Sequence, residues 1–221
     1  SQVIEALNNG NNVFVEKPAT LNLAALEDLF NLSKLEDRLF YVDDVFLYRQ
    51  DLQSNNFGEF GSQFGWHKSS SARGGSLLDR LAYHHLCLLF EALDGQLDFE
   101  LDSCASFKPD ELNFDAKVNN QKCSFSYSAL DGGKSNHTVF GKNVGRATND
   151  ALSDMLAAVL SGTASFDKNH RMALWVTTQI SKIKKNLYPN IGIVGGGIFG
   201  STPAIELANQ GYNVTLFERH E

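Results

Sequence analysis

The order of apolar and polar positions changes character several times along the chain, and each change predicts an element. Val3, Ile4, Ala6 and Leu7 fall at helical spacing with Gly10 as a stop, so a helix leads into Val13-Phe14-Val15, closed by Glu16-Lys17-Pro18. That run predicts a buried strand: β-branched and aromatic residues favour the pleat, and proline cannot extend the ladder. Asn22 is placed to cap a helix through Leu23, Ala24, Leu26, Leu29, Phe30 and Leu32. Leu39-Phe40-Tyr41-Val42 with Val45-Phe46-Leu47 predicts a further strand. Helix, strand, helix, strand reads as the closing part of a parallel, doubly wound α/β sheet that lacks its beginning. The chain opens on Ser1, without an initiator methionine and inside a predicted helix, so a fragment is expected.

Beyond Tyr48 the pattern shifts. A short helix is predicted within 49–56, a strand with close backbone approach within 57–67, and a loop over 69–76. The helix that follows carries Leu77, Leu78, Leu81, Leu86, Leu88, Leu89, Phe90 and Leu93, with Asp79, Arg80, Tyr83, His84 and His85 in its first turns. From Leu97 to Phe140 the period becomes two: Leu97, Phe99, Leu101 and Phe107 alternate with acids, and Cys123, Phe125 and Tyr127 with lysine and serines. Turns are expected at Pro109, Asn119-Asn120 and Asp131-Gly132-Gly133, giving an open, mostly antiparallel sheet. Two helices follow. One is capped by Thr148 or Asn149 and runs to Gly162; the other opens at Asp167 and carries Met172, Ala173, Val176, Ile180 and Ile183, with Lys182, Lys184 and Lys185 complementing its dipole.

Asn190-Ile191-Gly192-Ile193-Val194 then predicts a strand, Gly195 to Leu207 a glycine-led helix, and Asn213 to Phe217 a second strand ending in Glu218-Arg219. Gly195, Gly197 and Gly200 make a dinucleotide fingerprint in its full context, with Ala204 small enough for close packing. The glycines let a pyrophosphate meet the helix N-terminus, and Glu218 is the acid placed to hold ribose hydroxyls.

Composition adds exclusions. A net charge of −7 argues against non-specific binding of nucleic acid or anionic membrane. No apolar run reaches membrane-spanning length and no signal peptide is visible. Cys87, Cys104 and Cys123 are odd in number with no close pair, so a disulfide framework or zinc site is not expected and buried thiols in a reducing cytoplasm are.

The stretch from Val3 to Leu29, centred on Glu16-Lys17-Pro18, resembles the glucose-fructose oxidoreductase, inositol dehydrogenase and rhizopine-catabolism (Gfo/Idh/MocA) family of NAD(P)-dependent oxidoreductases. The resemblance implies that Glu16, Lys17 and Pro18 border the cofactor and that Lys17 lies beside both nicotinamide and sugar. The 74–85 stretch is similar as well: the family carries a glycine-rich loop, an aspartate, and a histidine one helical turn later. Counted from Asp79, that position is Tyr83; counted back from His84, it is Arg80. Both registers stay open, with Tyr83 or His84 as the proton-transfer residue and Asp79 as its helper. The family also implies a homo-oligomer through the antiparallel sheet. Residues 189–221 resemble the amino-terminus of FAD-dependent oxidoreductases of the glycine oxidase and D-amino-acid oxidase type.

The expected organisation is a remnant of an NAD(P)-binding Rossmann domain over 1–47, an α+β substrate and oligomerisation domain over 48–187, and the start of an FAD-binding domain over 189–221. The implied activity is dehydrogenation of a sugar, sugar nucleotide or polyol. Two other readings stand beside it: a non-catalytic relative serving as a binding or assembly module, and a permuted arrangement in which the last strands complete the first sheet.

Overall fold

A computed structural model describes residues 2–53, 62–69, 76–108, 110–187, 190–209 and 212–218. Period-two alternation builds its largest element, a six-stranded sheet of order β4-β5-β6-β3-β7-β8. The strands are β3 (Ser62–Lys68), β4 (Phe99–Lys108), β5 (Glu111–Val118), β6 (Gln121–Ala129), β7 (Asn136–Val139) and β8 (Lys142–Asn143). β3 pairs parallel with β6 and every other pairing is antiparallel. Asn119 and Asn120, at φ +48° and +63°, make the tight β5–β6 turn that asparagine tolerates.

One face of this sheet is apolar and covered. Leu112, Phe114, Ala116, Cys123, Phe125 and Tyr127 are at most 2% exposed. Phe125 is sandwiched between Phe114 at 4.6 Å and Phe64 at 5.1 Å, both nearly parallel to it. Each such ring contributes about 1.5–3 kcal/mol by leaving water. The opposite face carries Asn113, Asp115, Ser124 and Ser126, joined by Ser126 Oγ donating to Asn113 at 2.6 Å and by the Lys122–Asp115 ion pair.

The first fifty residues form helix α1 (Gln2–Asn8), strand β1 (Val13–Val15), helix α2 (Leu23–Leu35) and strand β2 (Phe40–Val42). β1 and β2 pair in parallel. Asn22 caps α2 by accepting from the Ala25 amide at 3.1 Å. Two expectations are corrected here. β1 is not a buried strand: Phe14 is 37% exposed, since among the described residues β1 has a neighbour on one edge only. Val45–Tyr48 is a 3₁₀ turn rather than a strand, started by Asp43 Oδ1 accepting from the Val45 amide at 2.9 Å. A four-residue helix α3 (Gln50–Gln53) follows; the expected continuations over 54–61 and 70–75 lie outside the described residues.

Helix α4 (Tyr83–Ala92) and the helix α5 (Ala151–Ser161), α6 (Phe166–Leu187) pair complete this part. The N-cap of α5 is Asp150, which accepts from the Ser153 amide, and not Thr148 or Asn149. Asn149 instead donates to the Tyr48 carbonyl and to Asp154. Helix α6 joins two of the core clusters, with Ala173 in one around α2 and β2 and Met172, Val176, Ile180 and Ile183 in the large one under the sheet. Its Asn169 imitates a neighbouring strand: it accepts from the Val42 amide at 3.0 Å and donates to the Val42 carbonyl at 2.8 Å. That satisfies the free edge of β2 and locks it to α6.

The last segment is β9 (Asn190–Val194), α7 (Ile198–Asn209) and β10 (Asn213–Phe217), with β9 and β10 parallel in a sheet of their own. In the described residues it does not join β1–β2, so the permuted arrangement is not what the chain adopts. Val194, Ile198 and Phe199 are at least 75% exposed. The chain thus has a mixed α/β architecture with an open mixed sheet. Among the described residues no helix is long and apolar enough to cross a membrane. Among the described residues no disulfide forms; Cys104 is exposed, correcting the expectation of three buried thiols, because it lies on the outermost strand beside a bulge.

Candidate active site

Lys17 leaves the end of β1, before a cis Lys17–Pro18 peptide, and reaches the start of the apolar helix. Its Nζ donates to the Arg80 carbonyl at 2.7 Å and to the Asp79 carbonyl at 3.4 Å, and stands 5.6 Å from the centre of the Tyr83 ring. An ammonium has three N–H donors, so one remains for a substrate oxygen. Burial draws this ammonium below the usual lysine range, while Cys87, Asp43 and Glu16 hold it up. Asp43, buried beside Glu16, has its carboxyl raised by burial.

The helix begins as a wide π turn over Leu78–Ala82, in which the Tyr83 amide bonds Leu78 O, and only then becomes α4. That turn is why a spacing rule of four was not a safe guide here. Tyr83 packs under Lys17, 1% exposed, its phenol raised well above the ordinary range by burial. His84 stacks on Phe46 at 4.1 Å and 14° between planes; burial, then the charge of Lys17, holds the imidazole neutral. His85 turns the other way, bonding Tyr127 Oη at 3.0 Å through Nδ1 and His137 Nε2 at 2.9 Å through Nε2.

Asp79 does not serve as expected in these contacts. Its Oδ2 accepts from Ser76 Oγ and from Lys184 Nζ, both at 2.7 Å, and no hydrogen bond joins its carboxylate to Tyr83 or His84. Lys184, expected only to complement a helix dipole, is therefore the ion-pair partner of a candidate site residue. Of the predicted set, the structure brings together Lys17, the Asp79 main chain and Tyr83, with Glu16 near Lys17 and His84 next along the helix. Asp43, Ser76 and Lys184 were missed. Ser76, three residues before Asp79, carried a capping signal; the other two depend on long-range packing.

At the other end of the chain, Gly195 sits at φ +103° between β9 and α7, and a side chain on Gly200 would collide with the Gly195 carbonyl, so both positions require glycine for the fold. Gly197 differs: nothing lies within 4 Å of where its Cβ would be. Open space above a helix N-terminus fits the approach of a dinucleotide pyrophosphate. Glu218 closes β10 and accepts from the Gly196 amide, placing its carboxylate against that loop.

A family model, NAD(P)-binding Rossmann-like domain, matches residues 193–221. No curated protein matches the sequence. Among solved structures, the chain is similar to the WlbA (WbpB) dehydrogenase of Thermus thermophilus in complex with NAD and UDP-GlcNAcA. There the TM-score is 0.62 and the identity 16%, over 81% of this chain and 67% of that one. A variant of KijD10, a 3-ketoreductase from Actinomadura kijaniata in complex with TDP-benzene and NADP, matches at TM-score 0.61 and 16% identity, over 86% and 74%. A Gfo/Idh/MocA family oxidoreductase from Vibrio cholerae matches at 0.53 and 15%, over 83% and 74%. At 15–16% identity the likeness establishes the fold.

Proposed function

We propose that the chain carries the substrate side of an NAD(P)-dependent dehydrogenase acting on a hydroxyl of a sugar, sugar nucleotide or polyol. The observation that carries this reading is Lys17: a partly buried ammonium fixed by two main-chain carbonyls, with one donor free, beside a neutral phenol and a neutral imidazole. Hydride acceptance belongs to the nicotinamide when it is bound. The chain's own residues do the rest. Lys17 holds the substrate oxygen as negative charge develops, and the unprotonated His84 imidazole takes the hydroxyl proton; Tyr83, a neutral phenol, serves in proton transfer only by passing its own proton on as it receives the substrate's. Glu16 and Pro18 flank the cofactor edge. The division at 1–47, 48–187 and 189–221 is part of this proposal, as are a reducing cytoplasmic setting and pairing of copies through the polar sheet face. Residues 189–221 open an FAD-dependent oxidoreductase, with Gly195, Gly197, Gly200 and Glu218 cradling the dinucleotide.

The test is turnover of UDP-sugars, uronic acids and inositols followed by nicotinamide absorbance, with Lys17→Met as the probe. Removing a preorganised donor lowers kcat by about 10²–10³. Turnover that Lys17→Met leaves unchanged overturns the proposal. A second reading, a sugar-binding module without catalysis, is favoured by one observation: the Asp79 carboxylate is held by Lys184 and Ser76. It requires sugar binding that depends on Lys17 with no turnover at all.

A further inference from the structure

Lys17 is held by main chain, so whatever fixes that main chain decides where the amine points. Both of its acceptors, the carbonyls of Asp79 and Arg80, belong to the wide turn Leu78–Ala82. In a regular α-helix the Tyr83 amide would take the Asp79 carbonyl; here it bonds Leu78 O, which leaves the Asp79 carbonyl to Lys17. A π turn is rare within helices, so contacts from outside the ladder are needed to favour it. Two side chains supply them. Ser76 Oγ donates to Asp79 Oδ2 at 2.7 Å and accepts from the Asp79 amide at 3.2 Å, closing the turn from its N-terminal side. Lys184 Nζ donates to the same Oδ2 at 2.7 Å from the far end of α6. That end is fixed, since Ile180 and Ile183 beside it are at most 3% exposed. Among the described residues Asp79 Oδ1 has no hydrogen-bond partner, so one oxygen orients the whole carboxylate. Residue 79 therefore stands between two lysines, its side chain gripped by Lys184 and its carbonyl accepting from Lys17. With the Lys184 and Asp79 side chains 17% and 10% exposed, water is a poor substitute for the grip.

We infer that Lys184 is a positioning residue for Lys17: by holding the Asp79 carboxylate from α6 it fixes the turn whose carbonyls aim the Lys17 ammonium at the substrate. Its consequence for turnover rests on the dehydrogenase reading; its effect on Lys17 does not.

Trace acetylation of the intact chain with acetic anhydride, read at Lys17 by mass spectrometry, tests it, because an ammonium held by carbonyls is protected and a released amine is not. Lys184→Met should raise the Lys17 labelling rate about tenfold or more, the effect expected when a charge-assisted hydrogen bond is lost. Lys184→Arg, whose guanidinium still grips a carboxylate, should keep Lys17 protected. Lys168, paired with Glu91 elsewhere on α6, is the control whose labelling should not change. If Lys184→Met alone fails to fold, Asp79→Asn with Lys184→Met removes the stranded charge; it should fold and still label fast at Lys17, because the tie to α6 is gone. Where the unaltered chain turns over a sugar, kcat should follow the same order, lowered by Lys184→Met and restored by Lys184→Arg. Lys17 labelling that stays at the parent rate in the folded single or double variant overturns the inference and leaves the dehydrogenase reading standing. Raised labelling in a chain that turns over no sugar upholds the inference and overturns only that reading.

Discussion

Replacing Lys184 by methionine should destabilise the protein far more than a change at a helix end ordinarily does. Its Nζ lies 2.7 Å from Asp79 Oδ2, and the two side chains are only 17% and 10% exposed. Asp79 has one other side-chain partner, Ser76 Oγ, and its Oδ1 is buried with none. Lys184→Met therefore leaves a carboxylate out of water with a single hydroxyl donor. Breaking a buried pair from one side costs about 3–5 kcal/mol, most of it the uncompensated charge. For a chain of this size each kcal/mol lowers Tm by roughly 2–4 °C, so a fall of roughly 6–20 °C is expected. Urea unfolding followed by fluorescence of Trp66 and Trp175 gives the free energy. The decisive variant is the double mutant Asp79→Asn with Lys184→Met, which removes the stranded charge and should recover to within about 1 kcal/mol of the parent. If Lys184→Met costs under 1 kcal/mol, or the double mutant is no better than the single, the pair is a solvated contact and the argument fails.

Three further outcomes follow from particular contacts. Burial holds the His137 imidazole down at about 4, against 6.5 in the unfolded chain, so below pH 6.5 the unfolded state binds the extra proton and stability falls. Relative to His137→Gln, the parent should lose about 1.4 kcal/mol per pH unit between pH 6.5 and 4 and nothing above pH 7.5; parallel pH profiles for the two would refute this. Gly197→Ala should leave stability within about 0.5 kcal/mol while weakening retention of a flavin or nicotinamide dinucleotide, whereas Gly200→Ala should abolish amide-exchange protection across 190–209. Phe125→Ala, in the stacked trio with Phe64 and Phe114, should cost about 3–5 kcal/mol in urea unfolding; a cost near 1 would mean the core closes over the gap.

Much of the fold was legible because period and punctuation agree. The β9, α7 and β10 bounds follow from apolar runs and glycines, and Cys123, Phe125 and Tyr127 announce the covered sheet face by alternation alone. Val45-Phe46-Leu47 misled because a short apolar run looks the same as a strand or a 3₁₀ turn, and the Asp43 side chain that decides it signals only weakly. Asn149, Asp150 and Thr148 are all competent caps, and tertiary contacts from Asn149 to Tyr48 choose among them. At the site, Lys17 was visible from its strand and proline. Its anchoring by the carbonyls of residues 79 and 80 was not, and neither was the reach of Lys184 across 105 positions of sequence to Asp79. Asp79, Tyr83 and His84 could not be put in register because spacing arithmetic presumes an ordinary α-helix.

The wide turn at Leu78–Ala82 has a consequence for engineering. A helical segment with one residue more than its hydrogen-bond ladder needs can shed it without breaking the chain's path. Excising Ala82 would let the ladder close regularly and swing the residues beyond it by about 100° about the axis. Tyr83, His84 and His85 would exchange places relative to Lys17, and a single-codon deletion would reassign which ring meets the amine.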